Sequence, residues 1–341
     1  MRGLVSARTA RRIARGALFG GGGIGALGAG TYGLLRLEAM RARRSIGVLD
    51  GGPPTSDGVY GSYDGEPLSF IVLGDSAAAG LGVSEPDETP GALLAAGLAE
   101  LGERAVRLTT LAQSGARTSD LARQVEAALV ELPHVALIIV GGNDVTHRVR
   151  PAVSVRLLDE AVRALRDAGC GVVVGTCPDL GTIEPIPQPL RWLVRRASRQ
   201  LAAAQTVAVI EAGARSVSLG PILGPEFRAA PSDMFAIDRF HPSAAGYAAA
   251  AAAILPSLAS AVGFWPDDED QPDAARGDGV LPVSVAAAAA AAESGAEVTG
   301  TQVGGHDRGP RGRWAQLRHR RRSPLPEPER EEELPPRPEP R

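Results

Sequence analysis

Five short apolar runs recur through the middle of the chain, and stretches of helical periodicity separate them. The runs cover residues 68–73, 106–111, 135–140, 171–176 and 207–210. Runs of this length without polar alternation are typical of strands that are buried on both faces of a sheet. Helices are predicted between and after them, near 119–132, 153–168, 188–204 and 243–262.

Strands and helices that alternate along a chain form right-handed crossovers and place helices on both faces of a parallel sheet. The pattern therefore predicts a three-layer α/β/α sandwich with a mainly parallel five-stranded sheet. In such a sheet, ligands bind beyond the carboxyl ends of the strands. The residues that directly follow each apolar run are thus the place to look for chemistry.

The N-terminal part of the chain has the composition of a targeting or anchoring segment. Residues 1–15 carry five arginines and no acid, and residues 16–35 carry no charge at all. This order is typical of an export signal or a membrane anchor. Four arginines and one acid follow between 36 and 44, so the distribution of basic residues narrowly favours a cytoplasmic N-terminus. We expect an uncleaved anchor with the main domain outside the cytoplasm. A twin-arginine export signal, which would give a secreted protein, and a disordered basic tail are the alternatives.

Composition divides the chain into five segments. They are a basic N-terminal segment (1–15), a Gly-rich anchor or export signal (16–36), a linker (37–65), the α/β domain (66–263) and a C-terminal tail (264–341). The tail is rich in Asp, Pro and Gly, contains seven consecutive alanines and ends in Pro, Glu and Arg. Because such a composition cannot bury a core, we expect the tail to be disordered.

The charge of the chain argues against one class of partner, and the spacing of its cysteines argues against a disulfide. The formal net charge is −3, and no basic stripe runs through the α/β domain, so nucleic acid is not expected as a partner. Cys170 and Cys177 flank an apolar run, and along a strand at about 3.3 Å per residue they would lie about 23 Å apart, beyond the reach of a disulfide. We expect both to be small buried residues. The composition indicates no particular oligomeric state.

Three residue types in the α/β domain together suggest nucleophilic catalysis. Ser76 follows the first apolar run in the sequence Gly-Asp-Ser, and Asp238 and His241 lie just before the last predicted helix. A serine hydroxyl becomes a nucleophile when a base takes its proton, and the base needs a third group that fixes its tautomer. The three-residue separation allows the Asp238 carboxylate to reach Nδ1 of His241, which leaves Nε2 free to face Ser76.

Acyl transfer also generates an oxyanion, which preorganised hydrogen-bond donors stabilise. The backbone N–H groups of Ser76 and Gly115 and the side-chain amide of Asn143 follow the ends of three apolar runs. Asn143 is the only asparagine in the chain. We therefore predict an oxyanion hole formed by Ser76, Gly115 and Asn143.

The sequence resembles the SGNH/GDSL hydrolase family over roughly residues 66–263. The matching blocks read FIVLGDSAAAGLG around Ser76, AQSGART around Gly115, VGGNDVT around Asn143, and DRFHPSAAGYA around Asp238 and His241. The resemblance implies a flavodoxin-like strand order, a Ser76 nucleophile, a His241 base, an Asp238 orienting acid, and no metal or organic cofactor. The α/β-hydrolase elbow, Gly-x-Ser-x-Gly, is disfavoured because position 78 is alanine.

The function expected from this resemblance is hydrolysis of a small or lipid-like carboxylic ester through an acyl-serine intermediate. Removal of acetyl groups from an envelope polysaccharide would use the same residues and is the second interpretation. A non-catalytic envelope scaffold is the third, supported by the length of the tail. Of the other polar residues, Asp75 is expected to hold the turn before Ser76. Asp144 is interpreted either as a brace for the Asn143 loop or as an exposed turn residue.

Overall fold

The computed structural model describes residues 30–264 apart from positions 43, 48 and 50, together with the residue pairs 302–303 and 306–307. A sheet of six strands lies at the centre of this region. The strands are β1 (Gly58–Tyr60), β2 (Leu68–Gly74), β3 (Val106–Thr110), β4 (Val135–Ile139), β5 (Gly171–Gly175) and β6 (Arg215–Val217). Their order in the sheet is β1-β3-β2-β4-β5-β6, and all neighbours are parallel except β1 and β3.

Ten α-helices accompany these strands among the described residues, and the first of them precedes β1. They are α1 (residues 30–42), α2 (Ser76–Ala79), α3 (Pro90–Gly102), α4 (Leu121–Val130), α5 (Gly142–Thr146), α6 (Pro151–Asp167), α7 (Leu190–Glu211), α8 (Leu219–Ala229), α9 (Pro231–Met234) and α10 (Ala244–Ala261). The pairs 302–303 and 306–307 form a separate two-stranded antiparallel ladder.

The two faces of the sheet bury two separate cores. Along β2, Phe70 and Val72 point into a cluster with Leu94 of α3 and Ile254 of α10. Ile71 and Leu73 lie in a second cluster with residues from α4, α6 and α7. Successive side chains of a strand point to opposite faces, so a run that is apolar at every position requires helices on both sides. The three-layer α/β/α sandwich is thus confirmed, and the order β3-β2-β4-β5-β6 is the flavodoxin-like one.

The number and position of the strands differ from the prediction in two places. The sheet has six strands, because β1 adds an antiparallel edge through Tyr60 opposite Val106. β1 lies within the stretch 37–65 that was expected to be a linker. The apolar run 207–210 is not a strand but the last turns of α7, and the fifth parallel strand is β6. β6 was missed because it has only three residues and two of them, Arg215 and Ser216, are polar.

The predicted anchor, residues 16–36, falls mostly outside the described residues, which begin at position 30. Within the described part of the chain, one helix, α10, is long and apolar enough to cross a membrane by length and composition. Half of that helix is buried, and Ile254 and Leu258 of it are fully buried in the core beside the sheet. α10 is therefore accounted for as a core helix.

Candidate active site

The turn that carries Ser76 follows the carboxyl end of β2, and its backbone packs closely against β4. Gly74 has a φ of +128°, and a Cβ atom there would lie 1.9 Å from the carbonyl oxygen of Ile139. The next residue, Asp75, donates its backbone N–H to that same oxygen at 3.0 Å. Asp75 then caps α2, because its Oδ1 accepts the backbone N–H of Ala77 at 3.0 Å. Only glycine allows the chain to approach β4 this closely, and the approach places Ser76 at the first position of α2.

The loop that carries Asp238 and His241 is closed on itself by backbone pairing. Phe235 and Pro242 form an antiparallel bridge, and Ala236 donates its N–H to the carbonyl of His241 at 2.8 Å. Inside the loop, Oδ1 of Asp238 accepts the backbone N–H groups of Phe240 at 2.9 Å and of His241 at 3.0 Å. The carboxylate is therefore held in place by the loop that presents the imidazole.

The two loops meet because Gly82 has no side chain. A Cβ at position 82 would lie 2.3 Å from the carbonyl oxygen of Pro242 and 3.1 Å from Cβ of His241. Tyr247 of α10 is fully buried, and its hydroxyl donates to the carbonyl of Leu81 at 2.7 Å. The segment after Ser76 is thus packed directly against the loop that carries His241.

The side chains of Ser76, His241 and Asp238 form a continuous chain of hydrogen bonds. Nδ1 of His241 lies 2.6 Å from Oδ2 of Asp238, and Nε2 lies 3.0 Å from Oγ of Ser76. A carboxylate can only accept, so the proton of the neutral ring is on Nδ1 and Nε2 accepts from the serine hydroxyl. This is the arrangement in which an imidazole can take a proton from a serine.

Asp238 remains ionised in this environment. Burial opposes its charge, but the hydrogen bonds from the His241 ring and from the N–H groups of Phe240 and His241 outweigh that cost. The pKa of the Asp238 carboxyl is consequently held below its ordinary value. A carboxylate that stays charged can stabilise an imidazolium when His241 accepts a proton.

The predicted oxyanion donors lie at two neighbouring loops. Asn143, in α5, lines the same cavity as Ser76 and His241, and its Nδ2 donates to the carbonyl of Ala116 at 2.9 Å. An amide NH₂ has two N–H bonds, so the second is free for a ligand. Gly115 directly precedes Ala116 with a φ of +82°, and the structure does not place it in the cavity wall. Its connection to the site runs through the bond between Ala116 and Asn143.

Asp144 braces this pair of loops, as one of the two interpretations of the sequence suggested. It is almost fully buried, and its Oδ2 accepts the backbone N–H of Thr118 at 3.0 Å. Thr118 and Ala116 belong to the same loop, so Asn143 and Asp144 hold it at two points. The alternative interpretation, an exposed turn residue, is wrong because the side chain of Asp144 is buried.

Two buried glutamines that the sequence analysis did not single out hold the strand ends beneath the site. Gln124 of α4 accepts the N–H of Gly74 at 2.8 Å and donates to its carbonyl at 2.9 Å. Gln205 of α7 accepts the N–H of Cys177 at 2.8 Å and donates to the carbonyl of Val140 at 3.0 Å. Strand ends lack ladder partners, and a side-chain amide supplies a donor and an acceptor at once. The only sequence signal for this role is an uncharged polar residue on the apolar face of a helix.

The side chain of Asp75, the residue directly before Ser76, is a buried carboxyl group. The pKa of Asp75 is raised to about 6, chiefly by burial and also by the neighbouring Asp144, although the Ala77 N–H and His241 act to lower it. In the unfolded chain the pKa is near 3.8. A group with a raised native pKa favours folding when it is protonated, so this stabilisation is complete below pH 3.8 and is lost as the pH rises through 6.

The variant Asp75→Asn should therefore gain stability relative to the wild type as the pH rises. Asparagine caps a helix about as well as aspartate but carries no charge to bury. A difference of about 2 pH units in pKa corresponds to about 3 kcal/mol, so the free energy of unfolding should shift in favour of the variant by about 2–3 kcal/mol between pH 3.5 and pH 7. Denaturant titrations at both pH values measure this shift. Asp64→Asn, at an exposed position, is the control, and a shift for Asp75→Asn no larger than that of the control would contradict the burial argument.

A largely apolar cavity of about 120 Å³ opens beside the serine. Ser76, His241 and Asn143 line it, together with the polar residues Asp75, Asp179 and Thr182. The rest of the wall is formed mainly by apolar side chains, namely Leu180, Ile183, Leu219, Leu223, Phe227, Phe235 and Phe240. A mainly apolar cavity with a few hydrogen-bonding groups suits a ligand with one polar reactive group and a hydrocarbon part.

Several other titratable residues stay apart from this site. His134 and His147 are exposed, and the described residues contain no cluster of three or more His, Cys, Asp or Glu that would hold a metal. Cys170 and Cys177 are both buried, as predicted, and neither forms a disulfide; burial raises the pKa of the Cys170 thiol to about 12. Neither thiol is therefore a candidate nucleophile.

Comparison with known proteins places this geometry in a family. Residues 72–249 match the model of the GDSL-like Lipase/Acylhydrolase family. A GDSL-like esterase of Mycobacterium tuberculosis, Rv1075c, is 42% identical over 246 residues, which are 68% of this chain and 78% of that protein. Among solved structures, TesA is 24% identical with a TM-score of 0.45, covering 57% of this chain and 99% of the other. Axe2, an acetyl-xylooligosaccharide esterase from Geobacillus, is 22% identical with a TM-score of 0.46, covering 57% and 95%.

Proposed function

The chain belongs to the GDSL-like lipase/acylhydrolase family, and from this premise we propose that it hydrolyses carboxylic esters with an apolar acyl group through an acyl-serine intermediate. The observation that carries the mechanism is the hydrogen-bonded chain from Asp238 through His241 to Ser76, in which Ser76 and His241 line the cavity. Serine esterase chemistry follows from family membership, and the residue roles are the proposal.

In the proposed reaction, Oγ of Ser76 attacks the ester carbonyl while Nε2 of His241 takes the hydroxyl proton. The resulting oxyanion is stabilised by the Ser76 N–H group and by the Asn143 amide, and the loop of Gly115, which does not line the cavity, acts through the bond between Ala116 and Asn143. Collapse of this intermediate breaks the ester bond, and the alcohol leaves with the proton from His241. Water then attacks the acyl-serine and loses a proton to His241, which returns it to Oγ of Ser76 as the carboxylic acid is released.

Because the wall of the cavity is mainly apolar, we expect the enzyme to prefer esters whose acyl group is longer than acetyl. Each buried methylene contributes about 0.8 kcal/mol, so kcat/KM should rise roughly fourfold per methylene while the chain still fits. A scaffold function is less well supported, because a binding domain does not need a serine, an imidazole and a carboxylate in one hydrogen-bonded chain.

The anchor predicted over residues 16–36 belongs to this proposal as well. The uncharged run leads into α1, which packs on the domain, so an anchor would hold the esterase close to a membrane. We place the catalytic domain on the extracytoplasmic side, because five arginines and no acid precede the run, whereas four arginines and one acid follow it.

The test is a series of p-nitrophenyl esters from acetate upward, assayed on membrane and soluble fractions of cells that express the full chain. We expect the activity in the membrane fraction and an increase in kcat/KM of about tenfold or more from acetate to butyrate. A maximum at acetate would instead favour removal of acetyl groups, the reaction expected of a polysaccharide O-deacetylase. Activity confined to the soluble fraction would contradict the anchor.

A further inference from the structure

The chain from the last residues of the predicted anchor onward packs against residues that line the catalytic cavity. We name residues 30–47, apart from position 43, the strap. Its Glu38 is buried, and Oε2 of Glu38 accepts the backbone N–H of Leu190 at 3.0 Å, which caps the N-terminus of α7. Its Ala42 packs in one cluster with Leu180 and Phe235, which line the cavity. The strap is therefore part of the folded domain.

The end of the strap contacts the loop that carries the catalytic acid. Gly47 donates its N–H to the carbonyl of Asp238 at 3.2 Å. Arg239, the next residue in that loop, donates from its guanidinium to the carbonyl of Ser45 at 2.9 Å. The strap thus runs from the start of α7 to the loop of Asp238 and His241, and it packs against residues that line the cavity.

The outer side of the strap exposes large apolar side chains, which continue onto both of its neighbours. We name this set the docking face, and it consists of Tyr32, Leu34, Leu37, Met40, Trp192, Leu193 and Ile237. Trp192 and Leu193 lie in the first turn of α7, directly after the residue that Glu38 caps, and Ile237 directly precedes Asp238. These seven make up more than half of the thirteen exposed large apolar side chains in the described part of the chain.

Such clustering is informative because isolated apolar side chains on a surface are ordinary, whereas contiguous patches mark interaction sites. Ile237 is 89% exposed, and Trp192 is 54% exposed although tryptophan is usually largely buried. Ile237 directly precedes Asp238, so a partner bound at this face would lie next to the loop that carries Asp238 and His241.

Charge identifies the partner. Arg36 stacks on the ring of Tyr32 at 5.3 Å, and Arg196 lies 5.8 Å from the ring of Trp192. Arg41 is exposed on the strap as well, and the strap's one acid, Glu38, is buried against α7. Aromatic rings combined with arginines are typical of segments at a membrane interface, and each arginine near an anionic leaflet contributes about 1 kcal/mol.

We propose that the docking face lies in the headgroup region of an anionic phospholipid bilayer and holds the opening of the catalytic cavity at the membrane surface. The chain itself supports this partner, because the uncharged run 16–35 leads directly into the strap. A lipid-like ester would then reach Ser76 from the bilayer. The proposal concerns the surface of the domain, so it stands apart from the roles assigned to Ser76, His241 and Asp238.

The experiment places an environment-sensitive fluorophore on single introduced cysteines in the full chain. Leu37→Cys and Ile237→Cys carry the label on the docking face, and Val130→Cys carries it at the end of α4, on the side where the strands begin. Val130 is 79% exposed, a value between those of Leu37 at 40% and Ile237 at 89%. The native Cys170 and Cys177 are fully buried, and the unsubstituted chain measures any labelling of them.

With vesicles that contain phosphatidylglycerol, the labels at positions 37 and 237 should shift to shorter wavelength and be quenched by lipid-attached spin labels. The label at position 130 should show neither change. Equal responses at all three sites, or no response at positions 37 and 237 in vesicle-bound protein, would overturn the docking face. A wavelength shift at position 37 without vesicles, together with a doubled mass in solution, would instead assign the face to a second copy of the chain and also overturn the proposal. Because fluorescence requires no catalysis, a failure of the ester assay is separable from each of these results.

Discussion

Replacement of Ser76 by alanine is expected to lower kcat for ester hydrolysis by about 10⁶-fold. Oγ of Ser76 is the atom that lies 3.0 Å from Nε2 of His241, and alanine offers neither a nucleophile nor a partner for that nitrogen. The residues of a catalytic triad act as a unit, so the loss of the nucleophile removes nearly everything that the other two contribute. The backbone N–H of position 76 and the cavity remain, and substrate binding should change little.

The measurement combines steady-state kinetics on a short p-nitrophenyl ester with labelling by a fluorophosphonate, which reacts with activated serines. Ser84→Ala makes the same chemical change at an exposed position of a nearby loop, and it should retain both the activity and the labelling of the wild type. Thermal unfolding of Ser76→Ala within a few degrees of the wild type would show that the fold is intact. Activity of Ser76→Ala equal to that of Ser84→Ala would remove Ser76 from the mechanism.

The parts of the fold that could be predicted are those where burial alone dictates the sequence. β2, β4 and β5 are covered on both faces, so nearly every position is apolar and the run is visible in the sequence. β6 has polar residues in a three-residue strand, and the apolar run before it continues the helical periodicity of α7. β1 forms an edge and is partly exposed, so no apolar run marks it. A strand that forms by pairing with residues distant in the sequence, without burial of both faces, leaves no apolar run by which it could be predicted.

The site divides in the same way. Ser76 and Asn143 were predicted to lie together because loops at the carboxyl ends of strands meet at one edge of a parallel sheet. Asp238 and His241 were singled out by the three-residue spacing that lets a carboxylate reach an imidazole, and the structure brings them to Ser76. The contribution of Gly82 was not visible, because its role is a close approach to Pro242, which is 160 residues away in the chain. The strap was missed for a related reason, since a buried Glu38 that caps α7 looks in the sequence like one more charge in a linker. Residues whose role depends on a distant partner require the structure.

Replacement of Asp238 by asparagine is expected to lower kcat by about 10⁴-fold without disrupting the loop. The asparagine oxygen can take the place of Oδ1 and still accept the N–H groups of Phe240 and His241, at 2.9 and 3.0 Å in the wild type. The new NH₂ group then occupies the position of Oδ2, 2.6 Å from Nδ1 of His241. Two donors cannot share a hydrogen bond, so the ring must place its proton on Nε2, where it can no longer accept the proton of Ser76.

The kcat values of Asp238→Asn and Asp238→Ala distinguish a catalytic role of Asp238 from a purely structural one. A structural role predicts that Asp238→Asn, which keeps the two backbone hydrogen bonds, stays close to wild-type activity, and that Asp238→Ala, which loses them, is the damaging change. A catalytic role predicts that both variants lose kcat by a similar factor, with KM nearly unchanged, although only Asp238→Ala is less stable. Asp233→Asn, at an exposed position in the same region of the chain, is the matched control and should behave as the wild type. Near-normal kcat for Asp238→Asn would leave Ser76 and His241 as a dyad and assign Asp238 to the loop alone.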